Sequence, residues 1–252
     1  MSRLPILCYH NIGPATGARF PFLHVTEAKL DRQLWALRRL GLRGVSMMDG
    51  IAQLGRRARG DLVVLTFDDG YRDALTAALP LLRSHGFGAT CYLVSDCIGG
   101  HNRWDEQDGR ERHALMTRDE IGQWLEAGME IASHSCSHPR LNARPAPDLA
   151  REIADSRASL RRLFGVPIDH FAYPYGELDA RAVEMVKRCG YRSAVTTRPG
   201  VADGRDDVHR LRRVLVHGQH GLARFLSQVA VYPGKAPIGA SPKSTKRRAR
   251  PC

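Results

Sequence analysis

Seven short apolar runs recur along this 252-residue chain, near 4–9, 62–66, 89–94, 129–133, 169–173, 192–196 and 211–216, with helical periodicity between them. Strands that alternate with helices run parallel, because each helix returns the chain to the end from which the last strand started. Residues 27–40 place Leu30, Leu34, Leu37 and Leu40 on one face behind an N-cap, Thr26. Residues 71–84 repeat the pattern with Ala74, Leu75, Ala78 and Leu82. Thr117-Arg118-Asp119-Glu120 reads as a capping box ahead of Ile121, Trp124 and Leu125. Further helices fit 147–164, opened by Asp148, then 179–189, opened by Asp179, and 221–230. About seven parallel strands with helices outside predict an α/β fold, a distorted or incomplete barrel rather than an open doubly wound sheet. No Gly-x-Gly-x-x-Gly follows the first strand, which weakens a dinucleotide-binding reading.

In such barrels chemistry gathers at the C-terminal ends of the strands, and the charged motifs fall there. Leu62-Val63-Val64-Leu65 leads into Thr66-Phe67-Asp68-Asp69-Gly70. Two adjacent carboxylates after a buried strand are costly unless something neutralises them, and a divalent cation is one candidate. An Asp-Asp-Gly turn is the plain alternative. His134-Ser135-Cys136-Ser137-His138 follows a second apolar run, and one Asp with two His makes a three-ligand set that leaves a position open for water. Alone, that pair reads equally as two surface histidines. Cys136, between them, reads as a small buried thiol. The segment 96–116 has little periodicity and reads as a long loop beside the site. Its Trp104 suits either a sugar face or the core.

With Phe171-Ala172-Tyr173-Pro174-Tyr175-Gly176 as a third element, these motifs resemble, in order, those of the polysaccharide deacetylase family, the NodB-homology group or carbohydrate esterase family 4. The likeness runs over roughly residues 4 to 217. It implies Asp68 as general base, and Asp69, His134 and His138 as ligands of one divalent metal. The Tyr173-Pro174-Tyr175 loop would line the substrate groove, with the Tyr175 N–H donating to the oxyanion. Many members have an arginine where this chain has Phe171, and a late Leu-x-Leu-His segment that Leu211-Arg212-Arg213-Val214-Leu215-Val216-His217 matches loosely. The opening Ile6-Leu7-Cys8-Tyr9-His10-Asn11-Ile12 resembles the poly-β-1,6-N-acetylglucosamine deacetylase subgroup instead, in which an early Tyr-His supplies the general acid. His10 is therefore the first candidate for the acid and His217 the second, and Arg213 the candidate for holding Asp68. The implied activity is metal-dependent removal of N-acetyl groups from N-acetylglucosamine-type sugars; hydrolysis of a small non-sugar amide or imide is the alternative. A two-His, one-Asp set suits Zn, with Co or Ni also compatible.

Composition bounds the rest. At 43% hydrophobic the chain can bury a sizeable core, and no run of 18 apolar residues argues for a membrane span. The start lacks a basic, then apolar, then small-residue leader, so the sequence as written reads as cytoplasmic, with export the alternative if its N-terminus is incomplete. The six cysteines form no Cys-x2-Cys pair and read as reduced thiols. The formal charge of +12 invites nucleic-acid binding, but Lys243, Lys246, Arg247, Arg248 and Arg250 concentrate it in a Pro- and Ser-containing tail. The expected organisation is a catalytic domain over 1–233 and a basic, disordered tail over 234–252. An N-acetylated carbohydrate is the expected partner and no specific nucleic acid is.

Overall fold

The computed structural model describes residues 3–15, 20–54, 61–108 and 112–229, so the basic segment 234–252 lies outside the described residues. Eight parallel strands make the main sheet: β1 (Ile6–Tyr9), β2 (Arg43–Val45), β3 (Leu62–Phe67), β4 (Thr90–Leu93), β5 (Glu130–Ser133), β6 (His170–Ala172), β7 (Ser193–Pro199) and β8 (Leu211–Leu215). Seven of them close into a barrel in the order β1-β8-β7-β6-β5-β4-β3, with β3 pairing back to β1. Val64 faces Ile6 on one edge and Val45 on the other, while Thr66 faces Cys8 and Thr90. Short β2 and short β4 therefore share one edge of β3, β2 below and β4 above. The sheet is irregular where β7 meets β8, with a register shift between Val195 and Pro199.

Alternation along the strands sorts side chains between two cores. Ile6, Leu62, Val64, Tyr92, Ala132, Ala172, Val195 and Leu211 fill the barrel interior. Leu7, Tyr9, Val63, Leu65, Phe67, Ile131, Phe171 and Val214 pack outward under the helices. Burial on both faces is why these runs read as continuous apolar stretches. Continued one step, the inward columns pass through Cys8 to His10, through Thr66 to Asp68, through Ala132 to His134, and through Leu211 to Arg213. The fold thus delivers its polar residues to one end of the barrel.

The helices are α1 (Glu27–Arg39), α2 (Met47–Gln53), α3 (Leu79–His85), α4 (Arg118–Glu126), α5 (Ser156–Phe164), α6 (Ala180–Arg188) and α7 (Leu222–Val229). Thr26 caps α1 through the Lys29 N–H, Thr117 and Glu120 form the full capping box of α4, and Asp179 caps α6 through the Ala182 N–H. Asp148 does not open its helix: the segment Ala146–Ala150 starts from Pro145, and Asp148 lies within its first turn. No helix among the described residues is long and apolar enough to cross a membrane. Cys8, Cys91, Cys97 and Cys136 are buried and free, Cys189 is half-buried and free, and Cys252 lies outside the described residues.

The opposite end of the barrel is closed by α2 and a small polar cluster. Met47 enters the interior core and its N–H donates to Thr90 Oγ1 at 2.8 Å. Glu130 Oε2 accepts from Thr90 Oγ1 at 2.5 Å and from the Met48 N–H at 3.1 Å. His170 shares a 2.7 Å hydrogen bond with Ser193 Oγ, and its Nε2 stands 3.4 Å from Glu130 Oε1. Burial pushes His170 down to about 4 and Glu130 up to about 6. An unfolded chain charges this histidine as pH falls below 6.5 and the native chain does not. That contribution to stability is present above the unfolded value and is lost as pH falls toward the folded one, about 3 kcal/mol in all. Glu130, with a raised value, acts in the opposite sense, so His170→Asn isolates the histidine. Thermal melts from about pH 7.5 to about pH 4.5 are expected to show a shallower acid decline in His170→Asn than in the parent. Parallel curves would refute the assignment.

Candidate active site

Asp68 and Asp69 leave β3 in different directions because the backbone turns left-handed at Asp69, with φ +74°. Four non-glycine residues among those described have positive φ: Asp69, Ser135, His138 and Tyr175. All four belong to the three turns at this end of the barrel. Such conformations cost roughly 1–3 kcal/mol each and persist where surrounding structure holds them.

Asp68 is buried and clamped by Arg213. Nη1 donates to Oδ1 at 2.7 Å and Nη2 to Oδ2 at 2.6 Å, while Nε donates to the Thr196 carbonyl at 3.0 Å. Thr66 Oγ1 accepts a further bond from Nη1 at 3.1 Å, and the guanidinium lies over the Tyr92 ring. Burial opposes ionisation of Asp68, but Arg213 outweighs it and holds the carboxyl below its ordinary value. The Asp68 carboxylate raises Arg213 in turn, against the effect of burial. Phe171 points outward and packs against Tyr173 and Tyr191.

Asp69 Oδ1 is buried without a hydrogen bond, 3.3 Å from both His134 Nε2 and His138 Nε2. With all three ligand atoms within 4.8 Å of one another, the group is able to hold a metal ion. Tetrahedral bonds of about 2.0–2.1 Å space neighbouring ligand atoms by about 3.3 Å, so the residues fit a Zn-like ion. His134 Nδ1 donates to the Ala172 carbonyl at 2.8 Å, which turns the Nε2 lone pair toward Asp69. Burial opposes the charge on Asp69, but the two histidines facing it bring its carboxyl well below the usual range. Burial lowers His138, whereas Asp69 raises His134 against burial. A proton and a metal compete there for one lone pair.

The loop bearing the histidines is held from behind. Ser135 Oγ accepts from the His138 N–H at 3.0 Å. Glu152 accepts from the Cys136 N–H at 3.0 Å, the Ser137 N–H at 2.9 Å and Ser137 Oγ at 2.7 Å. The sequence reading missed Glu152. Its signal was present: with Leu149, Ile153, Ser156 and Leu160 it shares the buried stripe of its helical segment. A carboxylate on such a stripe must be spoken for.

A cavity of about 390 Å³ opens over these groups, lined among others by His10, Asp68, Asp69, His134, His138, Tyr173 and Tyr175. Trp104 also lines it, 4.6 Å from the His138 ring between centroids, while packing on the Tyr71, Val94 and Leu115 cluster. Tyr175 lies 4.6 Å from His138 on another side, with the Arg140 guanidinium over its ring. The Tyr175 turn depends on Gly176, where a Cβ would come within 1.9 Å of Thr197 Oγ1. Pro174 is buried and is not part of the cavity wall, and the Tyr173 hydroxyl is turned away to the His209 carbonyl. Of the two acid candidates, His10 lines the cavity and His217 does not; His217 stacks between Phe22 and His220.

A family model described as polysaccharide deacetylase matches residues 55–194, more than half of the chain. YxkH of Bacillus subtilis (strain 168) is 27% identical over 217 residues, spanning 85% of this chain and 72% of that one. The poly-beta-1,6-N-acetyl-D-glucosamine N-deacetylase of Escherichia coli (strain K12) is 26% identical over 271 residues, spanning 92% of this chain but 39% of that enzyme. Among solved structures, the Streptococcus pyogenes deacetylase PplD in complex with acetate superposes with a TM-score of 0.78 at 24% identity, over 90% of this chain and 98% of that one. IcaB from Ammonifex degensii gives 0.76 at 23%, over 91% and 97%. These two share the barrel fold. The matched stretch takes in Asp68, Asp69, His134, His138 and the Tyr175 turn, and with it the chain belongs to the polysaccharide deacetylase family.

Proposed function

We propose that this protein is a metal-dependent hydrolase that removes N-acetyl groups from N-acetylglucosamine-type sugars. The observation that carries the reading is one cavity holding a clamped, ionised Asp68 beside the Asp69–His134–His138 set, with His10 on the same wall. A divalent cation held by that set supplies Lewis-acid polarisation of a carbonyl and lowers the pKa of water. Asp68, fixed by Arg213 and unable to swing onto the histidines, takes a proton from the attacking water. The Tyr175 N–H, on its left-handed turn, donates to the carbonyl oxygen as it becomes tetrahedral; one such donor is worth about 3–4 kcal/mol. His10 then protonates the departing sugar amine, the general-acid role that a positioned histidine most often takes. Acetate and a free amino sugar are the products.

The test is acetate release from N-acetylglucosamine oligomers, by metal-stripped protein and after Zn or Co is restored. Release is expected only with metal, and His134→Ala is expected to lose both bound metal and release. Oligomers left intact by fully loaded protein, with a small amide turned over instead, would replace this reading.

A further inference from the structure

Beside the Asp69 set lies a second convergence of ligand atoms, on the inward column of β1. Cys8 Sγ, a ring nitrogen of His10 and a carboxylate oxygen of Asp68 all lie within 4.8 Å of one another. The thiol donates to Asp68 Oδ2 across 3.5 Å. That separation has a meaning beyond a weak hydrogen bond. Tetrahedral coordination with a metal–sulfur bond of about 2.3 Å and a metal–oxygen bond of about 2.0 Å places sulfur and oxygen about 3.5 Å apart. His10 Nδ1 is buried without a hydrogen-bond partner. Oδ2 also accepts from Arg213 Nη2, and a carboxylate oxygen has two lone pairs, so the one now facing the thiol can face an ion without unseating Arg213.

We propose that Cys8, His10 and Asp68 form a second cation site, selective for soft ions such as excess Zn2+ or Cd2+, whose occupation switches the enzyme off. Binding replaces the thiol proton: the Cys8 S–H bond breaks, a sulfur–metal bond forms, and one proton leaves to the buffer. The thiolate supplies the selectivity, since Mg2+ and Ca2+ gain little from sulfur. One feature keeps the site from filling at low metal: the Arg213 charge stands 2.6 Å from Asp68 Oδ2, the oxygen that would face the ion. The Asp69 set has no thiol to deprotonate and fills first. A cation at Cys8 would take the lone pairs that the base and the acid need, so loss of activity follows from the geometry. This inhibitory half rests on the deacetylase reading. The binding half does not.

The test uses the full chain in a Cys252→Ser background, so that the C-terminal thiol contributes nothing. Metal-stripped protein is titrated with Cd2+ while bound metal, released protons and the ultraviolet thiolate-to-cadmium absorbance are followed. The expected result is two ions per chain, with the thiolate band growing only during the second equivalent and one proton released alongside it. Cys8→Ser, nearly isosteric, is expected to bind one ion and lose the band. Should that variant fail to fold, His10→Gln keeps the thiol and is expected to lose the second equivalent. In the Zn-loaded parent, excess Zn2+ is expected to suppress acetate release, and Cys8→Ser to remove that suppression from whatever activity it retains. One ion per chain in the parent, or a band unchanged in Cys8→Ser, overturns the site. Two ions and a Cys8-dependent band without acetate release under any condition would keep the site and count against the deacetylase reading.

Discussion

Asp68→Asn is expected to lower turnover by about 10²–10⁴-fold while the protein still binds its metal. On the proposed reading the two outcomes separate because the neighbouring carboxylates have separate surroundings. Asp69 Oδ1 faces both histidines, whereas the two Asp68 oxygens are taken by Arg213. Asparagine keeps the shape and one acceptor but cannot hold a proton taken from water. Its amide nitrogen also meets an Arg213 donor, leaving a buried charge without its partner, so some loss of stability accompanies the loss of activity. Bound metal and circular dichroism distinguish a folded, loaded, inactive enzyme from a misfolded one. A loaded Asp68→Asn protein that turns over at the parent rate would remove Asp68 from the chemistry.

Much of this site was legible in the sequence because strand periodicity and motif position gave the same placement. Asp68 follows Leu62, Val64 and Thr66 on one inward column, and His134 follows Ala132 on another. The pairing of Asp68 with Arg213 spans 145 positions, and only the resemblance suggested it. Alternation from Leu211 would have put Arg213 inside, but an arginine in a basic stretch reads first as surface. The strand at Arg43–Val45 went unseen for a different reason. It is three residues long with a central glycine, and its Gly44 exists for packing: a Cβ there would meet the Phe87 ring at 2.3 Å. Neither propensity nor period marks such a strand, since tertiary contact alone selects it. The Cys8–Asp68 contact was equally hidden, because an inward cysteine in an apolar strand looks the same whether it meets a leucine or a carboxylate.

Arg213→Met is expected to destabilise the protein by about 3–5 kcal/mol at neutral pH, because it strands a buried carboxylate. Arg213 is 1% exposed and Asp68 2%, so water cannot stand in for the lost guanidinium. The pH dependence reverses with it. In the parent, Asp68 has a lowered value, so its contribution is present above the unfolded value of 3.8 and is lost as pH falls through the folded one. Without Arg213, burial is left as the largest influence and raises Asp68 above 3.8. Its contribution then belongs to low pH and is lost as pH rises through the new value. Denaturant melts should therefore show the gap between parent and variant narrowing toward acid. The sharper check is the double variant Asp68→Asn with Arg213→Met, which removes both charges and should recover stability that either single change loses. Recovery would show that the barrel can fold without this ion pair, and that each single change costs stability by stranding the other residue's charge. Additive losses would mean instead that the two residues act independently, and the clamp would lose its claim to hold the base.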